Sequence, residues 1–251
     1  MIIESIENIK KNFFKDGFVK VKKVFTKKDI KKIFNQIEKI KKSSIEIKNP
    51  NMHFTKDNRL NTIHDINKYI KKGPMINVSK DKRILKIVEG ILGEKTKVRN
   101  IEFFLKPKKT GMRSPFHQDN FYWNISNKKA LNVWIACSKA NQKNGGMCYF
   151  KKSHKKGLVK HILSKEPGSS QKIPETYFKK LKNKKYYPEL NAGDCIFHHC
   201  EVIHGSKKNI SNLDRIGLVI SYKGLSAKIN KKKLLNYKSL VKKNLLSLKR
   251  K

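Results

Sequence analysis

No stretch of the 251-residue chain approaches the ~20 consecutive apolar residues that cross a bilayer, which excludes an α-helical membrane protein. The opening MIIESIENIKKNFF has no basic leader, no uninterrupted apolar block and no small-residue cleavage site. No signal peptide is expected, and a cytoplasmic location follows by default. Cysteine is sparse: Cys137, Cys148, Cys195 and Cys200 are widely placed and form no CxxC pair, which argues against a disulfide framework and for reduced thiols. Acidic residues number 19 against 60 basic ones, a net charge of +41, yet only six of the basic residues are Arg. Arg is the residue preferred for planar recognition of phosphates and base edges. The 54 Lys are spread over the whole chain with many Ile and Asn, so the charge reads as compositional drift at solvated positions. Weak, non-specific binding of polyanions is all it implies. With 37% hydrophobic residues and no internal repeat, the length suits one domain with a lean core.

Local patterning then divides the chain. Ile6, Ile9, Phe13 and Phe14 recur at helical spacing up to Gly17, FVKVKKVF alternates like a half-buried strand, and Thr26 caps a helix that places Ile30, Ile33, Phe34, Ile37 and Ile40 on one face. Residues 43–80 read as an irregular covering segment, and DKRILKIVEGILG as a short helix ending at Gly93. Short β-like runs follow: VRNIEFFLK, ALNVWIACSKA, GGMCYFKKS, CIFHHCEVIHGS and RIGLVISYKG. Their spacing suggests a mainly β fold with flanking helices around a jelly roll, or double-stranded β-helix, of the cupin type. The expected organisation is one domain over 1–251, with a helical and covering region at 1–95, a jelly-roll core at 96–225 and a C-terminal helix at 226–251. That last helix, KKKLLNYKSLVKKNLLSLKRK, is expected to pack with a frayed basic end; a membrane-surface or acidic-partner role is the lesser reading.

FHQDNFYW carries the chemistry. In an extended segment His117 and Asp119 face the same way while Gln118 points elsewhere. A third ligand must come from another strand, and GDCIFHHCEVIHGS offers His204. Two His and one carboxylate leave three positions of an octahedron open, as in non-haem Fe(II) oxygenases, whereas zinc prefers a fourth ligand or one water. Eleven residues after His204, beyond an Asn-rich turn, Arg215 opens an apolar strand. A guanidinium grips a carboxylate bidentately; taken alone, Arg215 suits a buried salt bridge equally well.

These segments resemble the phytanoyl-CoA dioxygenase family of Fe(II)- and 2-oxoglutarate-dependent oxygenases, over nearly the full chain. The matching pieces are FFKDGFVKVKKVF, FFLKP, FHQDNFYW, NVWIACSKANQKNGGMCYFKKSHKKG and GDCIFHHCEVIHGSKKNISNLDRIGLVISYKG. The last is the most specific, because the Gly-Asp turn, His-Gly-Ser, Asn-x-Ser and Arg fall in register. The resemblance implies that His117, Asp119 and His204 bind Fe(II), that Arg215 and Ser206 hold the distal carboxylate of 2-oxoglutarate, and that Trp134 lies along the cosubstrate pocket. Lys106 is a further pocket-lining candidate. Where the family has Pro-Gly-Ser-His, this chain has Lys151-Lys152-Ser153-His154, a change in a loop turn. The implied reaction consumes O2, releases succinate and CO2 and hydroxylates a small organic substrate, with the basic surface favouring an anionic one. A carboxylate at 119 argues against halogenation, for which the family has a small residue there.

Other readings of the same residues stand beside this one. Cys195, His198, His199, Cys200 and His204 look like a zinc cluster, but strand alternation sends Cys195 and His199 to one face and His198 and Cys200 to the other. His198 and His199 are expected to pack or to orient a ligand. His53, His64, His154 and His161 sit in polar loops and are expected to be solvated or structural. Phe121, Tyr122 and Trp123 are either core or pocket wall, and Arg113 is a candidate for meeting an anionic substrate. The alternative function is a basic nucleic-acid-binding protein with a structural or vestigial metal site.

Overall fold

The computed structural model describes residues 4–44, 51–179, 181 and 184–249. The chain begins with α1 (Ile6–Asp16), β1 (Phe18–Val21), α2 (Lys27–Ser44), β2 (Met52–Phe54), β3 (Leu60–Ile63), α3 (Pro74–Asn77) and α4 (Lys82–Leu92). The middle runs through β4 (Thr96–Lys106), β5 (Ser114–His117), α5 (Asn120–Trp123), β6 (Ala130–Ala136), β7 (Met147–Phe150), β8 (Ile162–Leu163), β9 (Gln171–Lys172) and α6 (Glu175–Lys179). It ends with β10 (Lys185–Tyr186), β11 (Cys195–His199), β12 (His204–Ser206), β13 (Arg215–Gly224) and α7 (Lys231–Lys249).

The helices start and stop where local chemistry dictates. Ser5 Oγ accepts the Asn8 N–H at 3.2 Å at the start of α1, and Gly17, at φ 88°, closes it with its N–H on the Phe13 carbonyl. At α2 the Thr26 hydroxyl accepts the Asp29 N–H at 3.2 Å while the Asp29 carboxylate accepts the Thr26 N–H at 3.0 Å, a reciprocal cap. Phe14 and Phe34 depart from the expected apolar faces: both are exposed, because Ile9, Phe13, Ile30, Ile33 and Ile37 already fill the buried side.

Seven antiparallel strands in the order β1-β11-β6-β13-β4-β3-β2 form the larger sheet, and β10-β7-β12-β5 form the smaller one, the two sheets of a jelly roll. Period-two alternation divides the larger sheet's faces. Ile101, Phe103, Leu105, Leu131, Val133, Ile135, Phe197, Leu218 and Ile220 pack outward against α1, α2 and α4 in the main core. Trp134, Ala136, Ile196 and Val219 point inward, between the sheets. Segment 43–80 is more ordered than expected where it is described. Leu60–Ile63 is buried at all four positions and pairs with β4, so β2 and β3 extend the larger sheet. CIFHHCEVIHGS is not one strand. It breaks after His199 and passes from the larger sheet (β11) to the smaller one (β12). That crossing brings His204 opposite His117 on β5.

Candidate active site

His117 ends β5, but Asp119 is not on an extended segment, contrary to the sequence reading: it lies at φ −60°, ψ −37°, leading into α5. Gln118 is the reason. Its fully buried side chain donates to the carbonyls of Gly157 and Glu201 at 2.8 and 2.7 Å and accepts the Val159 N–H at 2.9 Å, which pins the chain and ends the strand. The convergence survives the change of backbone. Asp119 Oδ1 lies 3.6 Å from Nε2 of both His117 and His204, and the three donor atoms fall within 4.8 Å of one another.

Each imidazole is oriented by its other nitrogen. His117 Nδ1 donates to the Pro115 carbonyl at 2.8 Å and His204 Nδ1 to the Val202 carbonyl at 3.0 Å, so both Nε2 lone pairs face the shared point. Asp119 Oδ2 accepts Asn132 Nδ2 at 2.9 Å and His198 Nε2 at 3.1 Å, leaving Oδ1 for a metal. Behind these, Ser221 Oγ donates to Asn132 Oδ1, and the Tyr149 hydroxyl meets His198 Nδ1 at 3.1 Å. Burial pushes His204 down to about 3, so it is neutral near pH 7. Burial would protonate Asp119, but the surrounding imidazoles hold it well below the usual carboxylate range, while Asp119 in turn raises His117 against burial. A dication would bind these imidazole nitrogens and the carboxylate in competition with protons.

Beside the triad is a niche of about 60 Å³ bordered by Ser114, Trp134, Met147, Ser206, Arg215 and Val219. Arg215 is 1% exposed, and among the described residues its Nε and Nη1 have no hydrogen-bond partner and it makes no ion pair, so the salt-bridge reading does not hold. Burial drives the guanidinium down to about 9. It stacks 5.4 Å from the Trp134 ring, whose position is open only because Gly217 has no side chain: a Cβ there would lie 2.3 Å from the indole. The Asn-x-Ser turn sets the register. Asn209 Nδ2 donates to the Lys106 and Leu213 carbonyls at 2.9 and 2.8 Å, and its Oδ1 accepts Ser211 N–H and O–H. Lys106 Nζ donates to Ser206 Oγ and to the Lys207 carbonyl, both at 2.6 Å, which leaves the Ser206 proton free to donate into the niche. Burial, and then Arg215, lower the Lys106 ammonium well below its ordinary range.

A second cavity of about 360 Å³ adjoins the niche and shares Glu102, Phe104, Ser114, His117, Asp119 and Asn132 with it. Tyr122 and Trp123 form part of its wall, whereas Phe121 stacks on His161 at 4.1 Å. His64 lines it too, bonded to Glu102 at 2.8 Å, and α7 contributes Leu234, Tyr237 and Lys238. The C-terminal helix therefore does more than pack. Sequence patterning did not single out Glu102, Asn132 or the α7 residues. Asn132 was legible in principle, two residues before Trp134 on one strand face, but nothing local marks α7.

The remaining expectations divide. The zinc cluster is split: Cys195 belongs to the outer core, Cys200 packs by Trp123, His198 holds Asp119 and His199 turns toward Phe13 and His154. All four thiols are free and buried, and burial raises each above its ordinary value. His154 and His161 are buried structural groups; His161 Nε2 accepts the Gln118 N–H at 3.1 Å. Arg113 is paired with Glu166 at 2.5 Å and lines neither the niche nor the adjoining cavity. Among the described residues, His117, Asp119 and His204 are the one group of three potential metal ligands that converges, and no helix is long and apolar enough to cross a membrane.

A double-stranded β-helix with an open two-His, one-carboxylate cluster between its sheets defines the class of non-haem iron oxygenases. The Phytanoyl-CoA dioxygenase (PhyH) family profile matches residues 13–217, and the chain belongs to that family. It is thus an enzyme of the iron- and 2-oxoglutarate-dependent oxygenase class. Among curated relatives, a probable alpha-ketoglutarate-dependent hypophosphite dioxygenase of Stutzerimonas stutzeri is 22% identical over 224 residues, covering 86% of this chain and 78% of that one. The human peroxisomal phytanoyl-CoA dioxygenase is 25% identical over 218 residues, 80% of this chain and 63% of that one. Among solved structures, EctD from S. alaskensis with 2-oxoglutarate and 5-hydroxyectoine superposes with a TM-score of 0.74 at 17% identity, over 90% of this chain and 78% of that one. The epimerase SnoN with Fe3+, alpha ketoglutarate and nogalamycin RO gives 0.70 at 19%, over 89% and 85%. These matches lend no support to a nucleic-acid-binding protein with a vestigial metal site.

Proposed function

We propose that residues 1–251 act as one oxygenase domain, an Fe(II)- and 2-oxoglutarate-dependent dioxygenase that hydroxylates a small organic substrate. The observation that carries this is the unpartnered, fully buried Arg215 guanidinium in a niche beside three converging ligands. A buried cation without a partner is costly, and such a group persists where a ligand supplies its counter-charge.

His117, Asp119 and His204 would hold the iron, with Asn132 and His198 fixing which carboxylate oxygen faces it. Arg215 and the Ser206 hydroxyl would hold the distal carboxylate of 2-oxoglutarate, Lys106 would position Ser206, and Trp134 would form the niche wall. When bound, iron and 2-oxoglutarate together activate O2, release succinate and CO2, and insert one oxygen atom into a substrate C–H bond. Trp134, Met147 and Val219 give the niche an apolar lining that would exclude water once the cosubstrate is bound. The substrate would enter the adjoining cavity, whose volume of about 360 Å³ is near the low end for small-molecule sites and too small to enclose an acyl-CoA thioester. Asp119 fills the position that a halide would need, which favours hydroxylation.

Anaerobic addition of Fe(II) and 2-oxoglutarate should produce a weak visible charge-transfer band. Its absence from folded protein would overturn the assignment. Asp119→Ala and His204→Ala should both lose the band and succinate formation.

A further inference from the structure

We propose that Arg99 is the substrate anchor, and that the substrate is a small molecule carrying a carboxylate, phosphonate or phosphate group. This deepens the oxygenase reading and rests on it. The strands β4 and β13 change register between Ser221, opposite Asn100, and Tyr222, opposite Val98, so Arg99 is the extra residue of a β-bulge. The consequence shows in the side chains. Ile101, Phe103 and Leu105 face the outer core as odd-numbered residues, whereas on the far side of the bulge the even-numbered Val98 packs against that core. Arg99 is thereby turned into the cavity that also borders His117 and Asp119.

The guanidinium is held but not neutralised. It lies 5.0 Å from the Trp123 ring, and Nη1 donates to Asn100 Oδ1 at 2.9 Å, a neutral acceptor. Among the described residues it makes no ion pair. The carboxylates whose charge reaches it are engaged elsewhere: Glu102 by His64 at 2.8 Å, Asp65 by Lys68 at 2.6 Å, and Asp119 within the triad. Burial lowers its affinity for the proton, the mark of a cation short of counter-charge. Lys238 of α7 adds a second positive charge to the same wall. A planar guanidinium with an aromatic backing and free donors matches a bidentate oxyanion.

The test uses the full chain with Fe(II) and saturating 2-oxoglutarate. Three- to eight-carbon carboxylates and alkylphosphonates, each beside its uncharged amide or ester, are screened by succinate release and, anaerobically, by perturbation of the charge-transfer band. At least one anion should trigger both signals while its neutral isostere does not. Arg99→Gln should weaken that anion about tenfold to a hundredfold in half-saturation, with Arg99→Lys intermediate and the band of the anion-free complex retained. Response to neutral compounds alone, no response to any anion, or an unchanged half-saturation in Arg99→Gln would each overturn the proposal. A missing band in wild type would instead refute the oxygenase reading itself, so the two failures are distinguishable.

Discussion

Arg215→Met should make the ligand-free protein more stable while destroying its response to 2-oxoglutarate. The guanidinium is 1% exposed, has two nitrogens without a partner among the described residues, and is driven by burial from its ordinary, much higher value down to about 9. A displacement of that size corresponds to roughly 5 kcal/mol against the charged form. Stacking on Trp134 returns about 1–2 kcal/mol of this, and Met of similar length loses about 1 kcal/mol to imperfect packing. A net gain of about 2–3 kcal/mol remains, in the range found when buried charges give way to apolar residues. The sign with pH follows from the folded value lying below the unfolded one. The penalty is complete below about 9 and is relieved only as pH rises from there toward the unfolded guanidinium's higher value, so the gain should be flat between about pH 6 and 8. Equilibrium urea unfolding measures it, with Mn(II) in place of the oxidisable iron. At a hundredfold excess over Kd, 2-oxoglutarate should stabilise the wild type by about 2.7 kcal/mol and the variant not at all. A ligand-free variant that unfolds at lower urea than wild type refutes the reasoning, as does one that 2-oxoglutarate still stabilises.

Three further outcomes are expected. His198→Phe removes one of two hydrogen bonds to Asp119 Oδ2 and should weaken iron binding about 10- to 100-fold, with the band recovered at higher iron and in His198→Gln; an unchanged iron titration would show that Asn132 alone suffices. Lys152 sits at φ 62°, in the left-handed region, where the family places glycine; Lys152→Gly should raise stability by about 0.5 kcal/mol, and a lower Tm would contradict this. Burial opposes charge on His64, but Glu102 and the Gly168 carbonyl outweigh it and raise its folded value. Its contribution is therefore complete below about pH 6.5 and lost as pH rises through that higher value. His64→Gln should flatten this part of a stability-against-pH curve, and an unaltered curve would assign the slope to another group.

Local order in the chain determined a good deal. The caps at Ser5, Thr26 and Asp81 and the glycine stops at Gly17 and Gly93 mark helices because they satisfy or end backbone hydrogen bonding within a few residues. Alternation in NVWIA and RIGLVIS assigns the two faces of the larger sheet. His117, Asp119, His204 and Arg215 were legible from ligand type and register, although the extended geometry assumed for Asp119 was not what brings it to the site. Only the tertiary structure decided the rest, because it depends on contacts between residues far apart in the chain. Gln118 ends its strand through the carbonyls of Gly157 and Glu201, and Asn132 and His198 meet on Asp119 from two different strands. A one-residue register change turns Arg99 into the cavity, and α7 brings Tyr237 and Lys238 to the wall that Tyr122 forms with Trp123. The ligands carry their chemistry in their side chains, whereas the orientation of each, and the shape of the space beside them, exist only after distant strands have paired.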